Sequence, residues 1–331
     1  GGTGSSTAGL AFGGTTPPYT EATEEFSAPA VFNQITLGQL YFNSTTNAFK
    51  ETINDIANGV WSSGGNVNEA RELLAGWGTN NNLAGVAGGN NTSDVAQSDT
   101  ELYNGTSWTE VNDVNNARYG TNGIGTFTSA AWVGGSIYPG PQPPGSFHEQ
   151  WNGTCWSEST DANQKTHGAG SGVVNTAMVI FGGNPTGYTE IWNGTAWTET
   201  TDLNEARDSQ GGTGAGGATS ALSVGGVPPG GQPNGSASVE EFISSQPIGA
   251  FSSGPNMNTA RYNMSSIGTS TAALAVGGRA PVIANNEEWD GTAWTEKADL
   301  NSGRHSMSSS GTTTSGLVSG GEDTAYRNLV E

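Results

Sequence analysis

Apolar positions along this chain come in short bursts. Runs of about five residues, such as Ala177-Met-Val-Ile-Phe181, close in a Gly-Gly pair, and a Glu-x-aromatic triplet follows all but the last of these pairs. An Asn-Gly turn comes next, then a second aromatic, then a polar Asp-x-Asn segment. A short apolar run bounded by turn signals reads as a strand buried on both faces. Asn-Gly between two such strands is a strong hairpin signal, because both central residues of a type I′ turn take positive φ. The small-residue segment before the apolar run, as in Gly120-Thr-Asn-Gly-Ile-Gly-Thr126, reads as a further strand whose backbone lies close to its neighbours. The pattern therefore predicts four antiparallel strands per unit.

The unit repeats with a period of about 47 residues, which must be read before any single residue is assigned a role. Its clearest copy is Glu190–Arg207; others are Glu101–Arg118, Glu149–Lys165 and Glu287–Arg304, with looser ones ending at Arg71 and Arg261. The second aromatic of each copy is Trp61, Trp108, Trp156, Trp197, Phe251 or Trp294. Seven residues later an Asn stands in all six, and ten residues later comes Arg71, Arg118, Arg207, Arg261 or Arg304, with Lys165 in the third, shortened copy. Six Gly-Gly pairs follow these basic residues, and a seventh, Gly13-Gly14, sits near the N-terminus.

Four such strands cannot bury their aromatic faces alone, but sheets packed face to face in a ring can. The small-residue strand then lies innermost and the Trp strand outermost, which is a β-propeller. The Gly-Gly pair after the second strand, the two spaced aromatics and the basic residue opening the next unit resemble the kelch-repeat propellers. The expected architecture is all-β: seven blades of four antiparallel strands, or six blades plus an extra partial unit. Residues 1–26 and 57–331 are expected to form this one domain. Residues 27–56 interrupt it between strands three and four of the first blade, as an excursion containing a hairpin around Leu37-Gly-Gln-Leu-Tyr-Phe-Asn43 and Asn47-Ala-Phe-Lys50. That Gly-x-Leu-Tyr-Phe-Asn segment resembles bacteriophage fibre proteins, and the Trp-Asn-Gly-Thr-x-Trp units are similar to repeats in virion proteins of marine phages. The chain opens at Gly1 in mid-repeat, as expected of a processed chain or a piece of a longer one.

Composition sharpens this reading. The 331 residues include 52 Gly and 10 Trp, and 30 acidic groups against 10 Lys and Arg give a net charge of −20. Such a surface repels nucleic-acid phosphates and anionic headgroups, so no nucleic-acid partner is expected. No apolar run reaches the ~18 residues of a membrane span, so no membrane insertion is expected either. The single Cys155 excludes a disulfide framework within the chain.

The Glu two residues before each first aromatic (Glu24, Glu101, Glu149, Glu190, Glu240, Glu287) is expected to pair with the Arg series inside its blade. The alternative is a ring of carboxylates holding Ca²⁺. His148, His167 and His305 fall at different places in the repeat without metal-ligand spacing, so no metal site is expected there. No nucleophile elbow or phosphate loop appears, and no catalytic residue is assigned. The connections after Gly-Gly vary most and should crowd one face of the disc, where function concentrates on scaffolded loops. Tyr19, Tyr138, Phe147, His148, Tyr188 and Arg279 are the contact residues expected on that face. Together these features point to a non-enzymatic extracellular module, displayed on a virion as tail fibre, receptor-binding or decoration protein. Its expected partners are other virion or surface-assembly proteins and a host-surface glycan or protein. A secreted kelch-like carbohydrate-active or oxidase enzyme is the alternative.

Overall fold

In the computed structural model the chain divides into two units, residues 1–57 and 58–331. Described are the strands within residues 2–51, and residues 63–331 apart from 121–122, 138–144, 165–168, 184–186, 214–216, 231–234 and 245–249. The first unit contains a three-stranded antiparallel sheet (Gly2–Gly4, Ala8–Gly14, Thr20–Ser27) and a hairpin of Leu40–Asn43 with Ala48–Glu51. No helix among the described residues is long and apolar enough to cross a membrane.

The second unit is a β-propeller with five blades of four antiparallel strands. The third blade is typical: Ala169–Val174, Ala177–Phe181, Thr189–Trp192 and Trp197–Glu199 pair in that order from hub to rim. A two-stranded sheet, Ser308–Thr312 with Ser315–Ser319, packs between the fifth blade and the first and closes the ring. The expectation of seven blades is thus corrected. Gly13-Gly14, taken as a seventh unit, lies in the sheet of residues 1–57, and the ring closes without it. The ends of the second unit meet at the closing sheet: Val318 and Glu331 exchange backbone hydrogen bonds, and Gly64 N–H donates to Val330 O at 2.8 Å.

Each blade is held to the next by the same residues. The first and second aromatics lie directly opposite each other across strands three and four, as Tyr103 with Trp108, Trp151 with Trp156, Trp192 with Trp197, Phe242 with Phe251, and Trp289 with Trp294. Their ring centroids stand 5.0–5.6 Å apart, and both rings are buried against the preceding sheet. Trp61 lies outside the described residues. The second strands, buried on both faces, serve two interfaces by alternation. Ala130 and Trp132 face the first blade, while Ala131 and Val133 face the third. The residue between Asp/Asn and Asn in each repeat completes the wedge: Val67, Val114, Ala162, Leu203, Met257 and Leu300 are all buried, one in each interface.

At the hub the inner strands approach backbone to backbone. A Cβ on Gly123 would meet the Gly76 carbonyl oxygen at 2.8 Å, so no larger residue fits. The first blade departs from the small-residue rule with the buried Trp77, whose indole meets Trp156 edge-on at 5.2 Å. Gly85 makes room for it, since a Cβ there would touch the Trp77 ring at 2.3 Å.

The Asn-Gly turns form by a different mechanism from the one expected. Only the glycines take positive φ, for example Gly105 at 91° and Gly194 at 94°. The Asn side chain instead accepts two backbone N–H bonds, as Asn104 Oδ1 does from Thr106 and Ser107 at 3.0 Å each. Asp290 makes the same turn with Thr292 and Ala293. This side-chain acceptor geometry is the Asx turn, for which Asp serves as well as Asn.

The repeated Arg is the joint of the ring. Arg71, Arg118, Arg207, Arg261 and Arg304 are completely buried, and each forms an ion pair in its own sheet, with Glu101, Glu149, Glu240, Glu287 and Glu331 respectively. The repeated Asn presents its backbone N–H to the same carboxylate, at 2.9 Å for Asn68 and Glu101 and 2.8 Å for Asn115 and Glu149. In the third blade Asn163 and Gln164 bind Glu190 in this way, and Lys165 lies outside the described residues. The Arg backbone carbonyl accepts from the second glycine of the preceding sheet, as in Gly89 N to Arg118 O at 3.0 Å. The last such bond, Gly321 N to Arg71 O at 2.9 Å, joins the closing sheet to the first blade. Both glycines of the six pairs in the second unit have positive φ, which is why the dipeptide recurs there unchanged.

Two substitutions test this joint. Arg207→Met strands the Glu240 carboxylate in the interior and should lower unfolding free energy by about 3–5 kcal/mol in urea titration. Glu240→Gln added to that variant should recover part of the loss; a cost below about 1 kcal/mol for the single change would mean the clasp is dispensable. Gly277→Ala sets a Cβ 2.5 Å from the Arg304 carbonyl oxygen at a φ of 60°. It should cost at least about 2 kcal/mol by the same measurement.

Candidate functional site

Because every second strand ends in Gly-Gly, the loops from second to third strands all leave the propeller at one end. In the five sheets where both are described, the residue after the glycine pair forms a bridge with the residue after the Arg. Tyr119 pairs with Ser136, Asp208 with Val227, Tyr262 with Arg279, His305 with Glu322, and Glu72 with Asn90. These two columns are the most chemically varied in the repeat, yet they flank its most constant residues. They lie beside the start of the inner strands.

A backbone collar joins neighbouring sheets there. Two residues after each Arg the chain turns left-handed, at Leu73 (φ 55°), Gly120 (98°), Ser209 (54°), Asn263 (51°) and Ser306 (57°). Gly120 N–H donates to Leu73 O, Leu73 to Ser306, Ser306 to Asn263, and Asn263 to Ser209, at 2.8–3.1 Å. A left-handed non-glycine residue costs of order 1 kcal/mol and persists only when its surroundings impose it. Here the row of backbone hydrogen bonds imposes it. The inner strands enclose a channel of about 180 Å³, lined by residues of all five blades and the closing sheet, among them Trp77, Gly123, Gly170, Gly212, Ser266 and Ser310. Its described lining carries no carboxylate, histidine or cysteine. Buried Trp77 Nε1, Ser266 Oγ and Ser310 Oγ have no protein partner, which suits a channel holding ordered water.

The chemistry of these columns gathers where the ring closes. Glu72, from the opening of the first blade, meets His305 and Glu322 of the closing sheet, with one ligand atom from each lying within 4.8 Å of the others. Glu72 and His305 are buried and Glu322 is half-buried. His305 Nδ1 engages Ser306 Oγ at 2.9 Å, so Nε2 faces Glu322 Oε2 at 3.7 Å. Burial first, and then the Glu322 carboxylate, push the Glu72 carboxyl up to about 7. Burial lowers the His305 imidazole despite Glu322 beside it. The Tyr326 hydroxyl donates to Asp94 at 2.6 Å, and burial, then Asp94, raise its pKa. Next to it Asp323 and Arg327 form a two-bond ion pair at 2.8–2.9 Å. A second acidic group, Asp99, Glu110 and Asp113, lies on the outside of the first blade and is largely exposed.

Sequence spacing did not bring Glu72, His305 and Glu322 together, because they come from opposite ends of the unit. The available signal was positional: each occupies one of the two variable columns beside Arg and Gly-Gly, and the first and last units become neighbours only in a closed ring. Of the expected contact residues, Tyr188 and Arg279 are exposed, and Phe147 is half-buried with its ring 5.7 Å from the Arg118 guanidinium. Arg279 has no ion pair among the described residues. Tyr19 and Tyr138 lie outside the described residues. His148 is a correction: it is 1% exposed and packs edge-on against Trp192 and Trp197 at 4.8 and 5.4 Å. It is a wedge between blades and not a loop-face contact, because strand alternation turns its side chain inward.

His148 Nδ1 donates to Thr160 O at 3.0 Å, which fixes the neutral tautomer. Burial lowers its pKa from 6.5 to about 4. The unfolded chain therefore binds this proton more tightly, and stability should fall as pH drops from about 6.5 to about 4, then level off for this group. The loss amounts to about 3 kcal/mol. Unfolding titrations at pH 7 and pH 4.5 should show a smaller difference for His148→Gln than for the unaltered chain; an equal difference would show that this imidazole does not titrate with folding.

No family model matches the chain, and no curated protein matches its sequence. Among solved structures it is similar to that of YjhT, with a TM-score of 0.64 and 10% sequence identity, over 80% of this chain and 95% of that one. At that identity the likeness establishes the propeller fold alone.

Proposed function

We propose that the chain is a non-enzymatic binding or structural module of kelch-like form, displayed outside the cell on a bacteriophage particle as a fibre, receptor-binding or decoration protein. The observation that carries this reading is how the repeat divides its residues. The constant charged and aromatic positions are consumed inside the blades, while the variable positions and exposed side chains such as Tyr188 and Arg279 collect on the loops. A scaffold of constant joints with changeable loops is suited to recognition, and amphipathic Tyr with unpaired Arg suits a protein or glycan surface.

Charge supports the same reading. Of the 10 basic residues, five are buried in the Arg–Glu clasps. Lys297 and Arg327 are tied to Glu288 and Asp323. Little positive charge is left to offset the acidic exterior, which disfavours binding to polyanions and favours solubility of a densely displayed protein. The Glu110, Glu158, Glu199 and Glu296 side chains are exposed on the outermost strands, where charge discourages edge-to-edge association.

Antibody raised against the chain should label the outside of purified phage particles from the source culture. The isolated protein should also bind host cells or a glycan array saturably, with affinity reduced about tenfold in Tyr188→Ala and Arg279→Ala. Its recovery only from host cytosol, without particle labelling, would overturn the virion reading. Binding unaffected by either substitution would remove the loop face as the contact surface.

A further inference from the structure

The closing seam holds a set of groups that the propeller architecture does not require. In the other described sheets the column after Arg carries Tyr119, Asp208 and Tyr262, and the column after Gly-Gly carries Asn90, Ser136, Val227 and Arg279. Those pairs make the same backbone bridges without a histidine or two carboxylates meeting. At the seam alone, among the described residues, an imidazole and two carboxylates from three separate segments converge. We propose that Glu72, His305 and Glu322 form a binding site for a divalent transition-metal cation, zinc above all, which clamps the closing sheet to the first blade.

Three features support the assignment. Two carboxylates brought together with one of them buried are costly unless a cation or a proton stands between them, and no arginine or lysine forms an ion pair with either among the described residues. The imidazole is oriented as metal-bound histidines are: its Nδ1 is held by Ser306 Oγ, which leaves Nε2 directed toward Glu322. The donor set, one nitrogen and two carboxylate oxygens, matches zinc better than the all-oxygen shells of calcium or magnesium. A tetrahedral zinc ion with bonds of about 2.1 Å holds its ligand atoms roughly 3.4 Å apart. The 3.7 Å between His305 Nε2 and Glu322 Oε2, and the 4.8 Å limit for the whole set, require only a small contraction. Three protein ligands leave a fourth position for water or for a group on a partner.

The location gives the cation a specific effect. Glu72 follows Arg71, whose carbonyl accepts the ring-closing bond from Gly321, and Glu322 follows Gly321. A bound ion therefore adds a link across the seam where the first and last segments of the unit meet. Because binding is to the closed ring, it should raise stability in proportion to saturation. The inference stands independently of the virion assignment.

The test is calorimetric titration of the chelator-treated full chain with Zn²⁺, in excess Mg²⁺ to suppress loose binding to a protein of charge −20. Expected are one equivalent of Zn²⁺ bound, a rise of several degrees in Tm, and intense visible absorption of tetrahedral type when Co²⁺ replaces Zn²⁺. Zn²⁺ should bind at least tenfold more tightly than Ca²⁺. Glu322→Gln, at a half-buried position that should fold normally, and Glu72→Gln should each weaken Zn²⁺ binding at least tenfold and abolish the metal-dependent rise in Tm. Glu110→Gln, in the exposed acidic group, should leave both intact. Absence of saturable binding, or binding unchanged in Glu72→Gln and Glu322→Gln, would overturn the proposal and leave a proton shared between the two carboxyls as what holds the cluster.

Discussion

The ring depends on a buried ion pair that recurs in five of its six sheets. The guanidinium of the repeated Arg and the carboxylate of the repeated Glu are taken out of water together, and the Arg backbone carbonyl receives the glycine N–H of the sheet before it. One residue thus fastens the interior of its own sheet with its side chain and the neighbouring sheet with its main chain. Burying an ion pair is rarely a net gain over packed apolar groups. Its value here is directional: the fork of a guanidinium satisfies several acceptors at fixed angles, including Gly88 O and Asp99 O for Arg71. Apolar wedges could fill the same space without specifying how far one sheet rotates against the next.

Sheet-on-sheet attraction comes from the aromatics. Each cross-strand pair packs its rings on the preceding sheet, beside the apolar residue inside the Asp-x-Asn segment. The Asn that follows donates to the Glu of the next sheet. The outer strand of one sheet, the wedge, the Asn and the Arg of the next therefore act as one continuous hinge-piece. Departures are compensated locally, as the bulky Trp77 is by Gly85.

Closure makes the two ends of the unit structurally equivalent to an internal joint. Glu331 stands where Glu149 or Glu240 stands elsewhere, receiving Arg304 and Asn301, and Gly321 reaches Arg71 as Gly89 reaches Arg118. The same closure brings Glu72 to His305 and Glu322, so the most unusual chemistry on the loop face arises at the seam.

The sequence by itself determined the local structure. Fixed spacing of Gly-Gly, two aromatics, Asn and Arg identified the strands, their order from hub to rim and the propeller, because each signal reports a short-range requirement: positive φ at the glycines, two-sided burial, an Asx turn. It left the blade count open and favoured seven, since Gly13-Gly14 repeats the same dipeptide, in what is a sheet of residues 1–57. Whether a matching segment joins the ring is decided by which partners it meets, and the Gly321–Arg71 bond had already taken that place. The inward turn of His148 followed from register, which a one-residue shift reverses. The meeting of Glu72 with His305 and Glu322 was illegible for a related reason. Residues more than 200 positions apart become neighbours only when the circle closes, and no periodicity along a line encodes which of its two ends will touch.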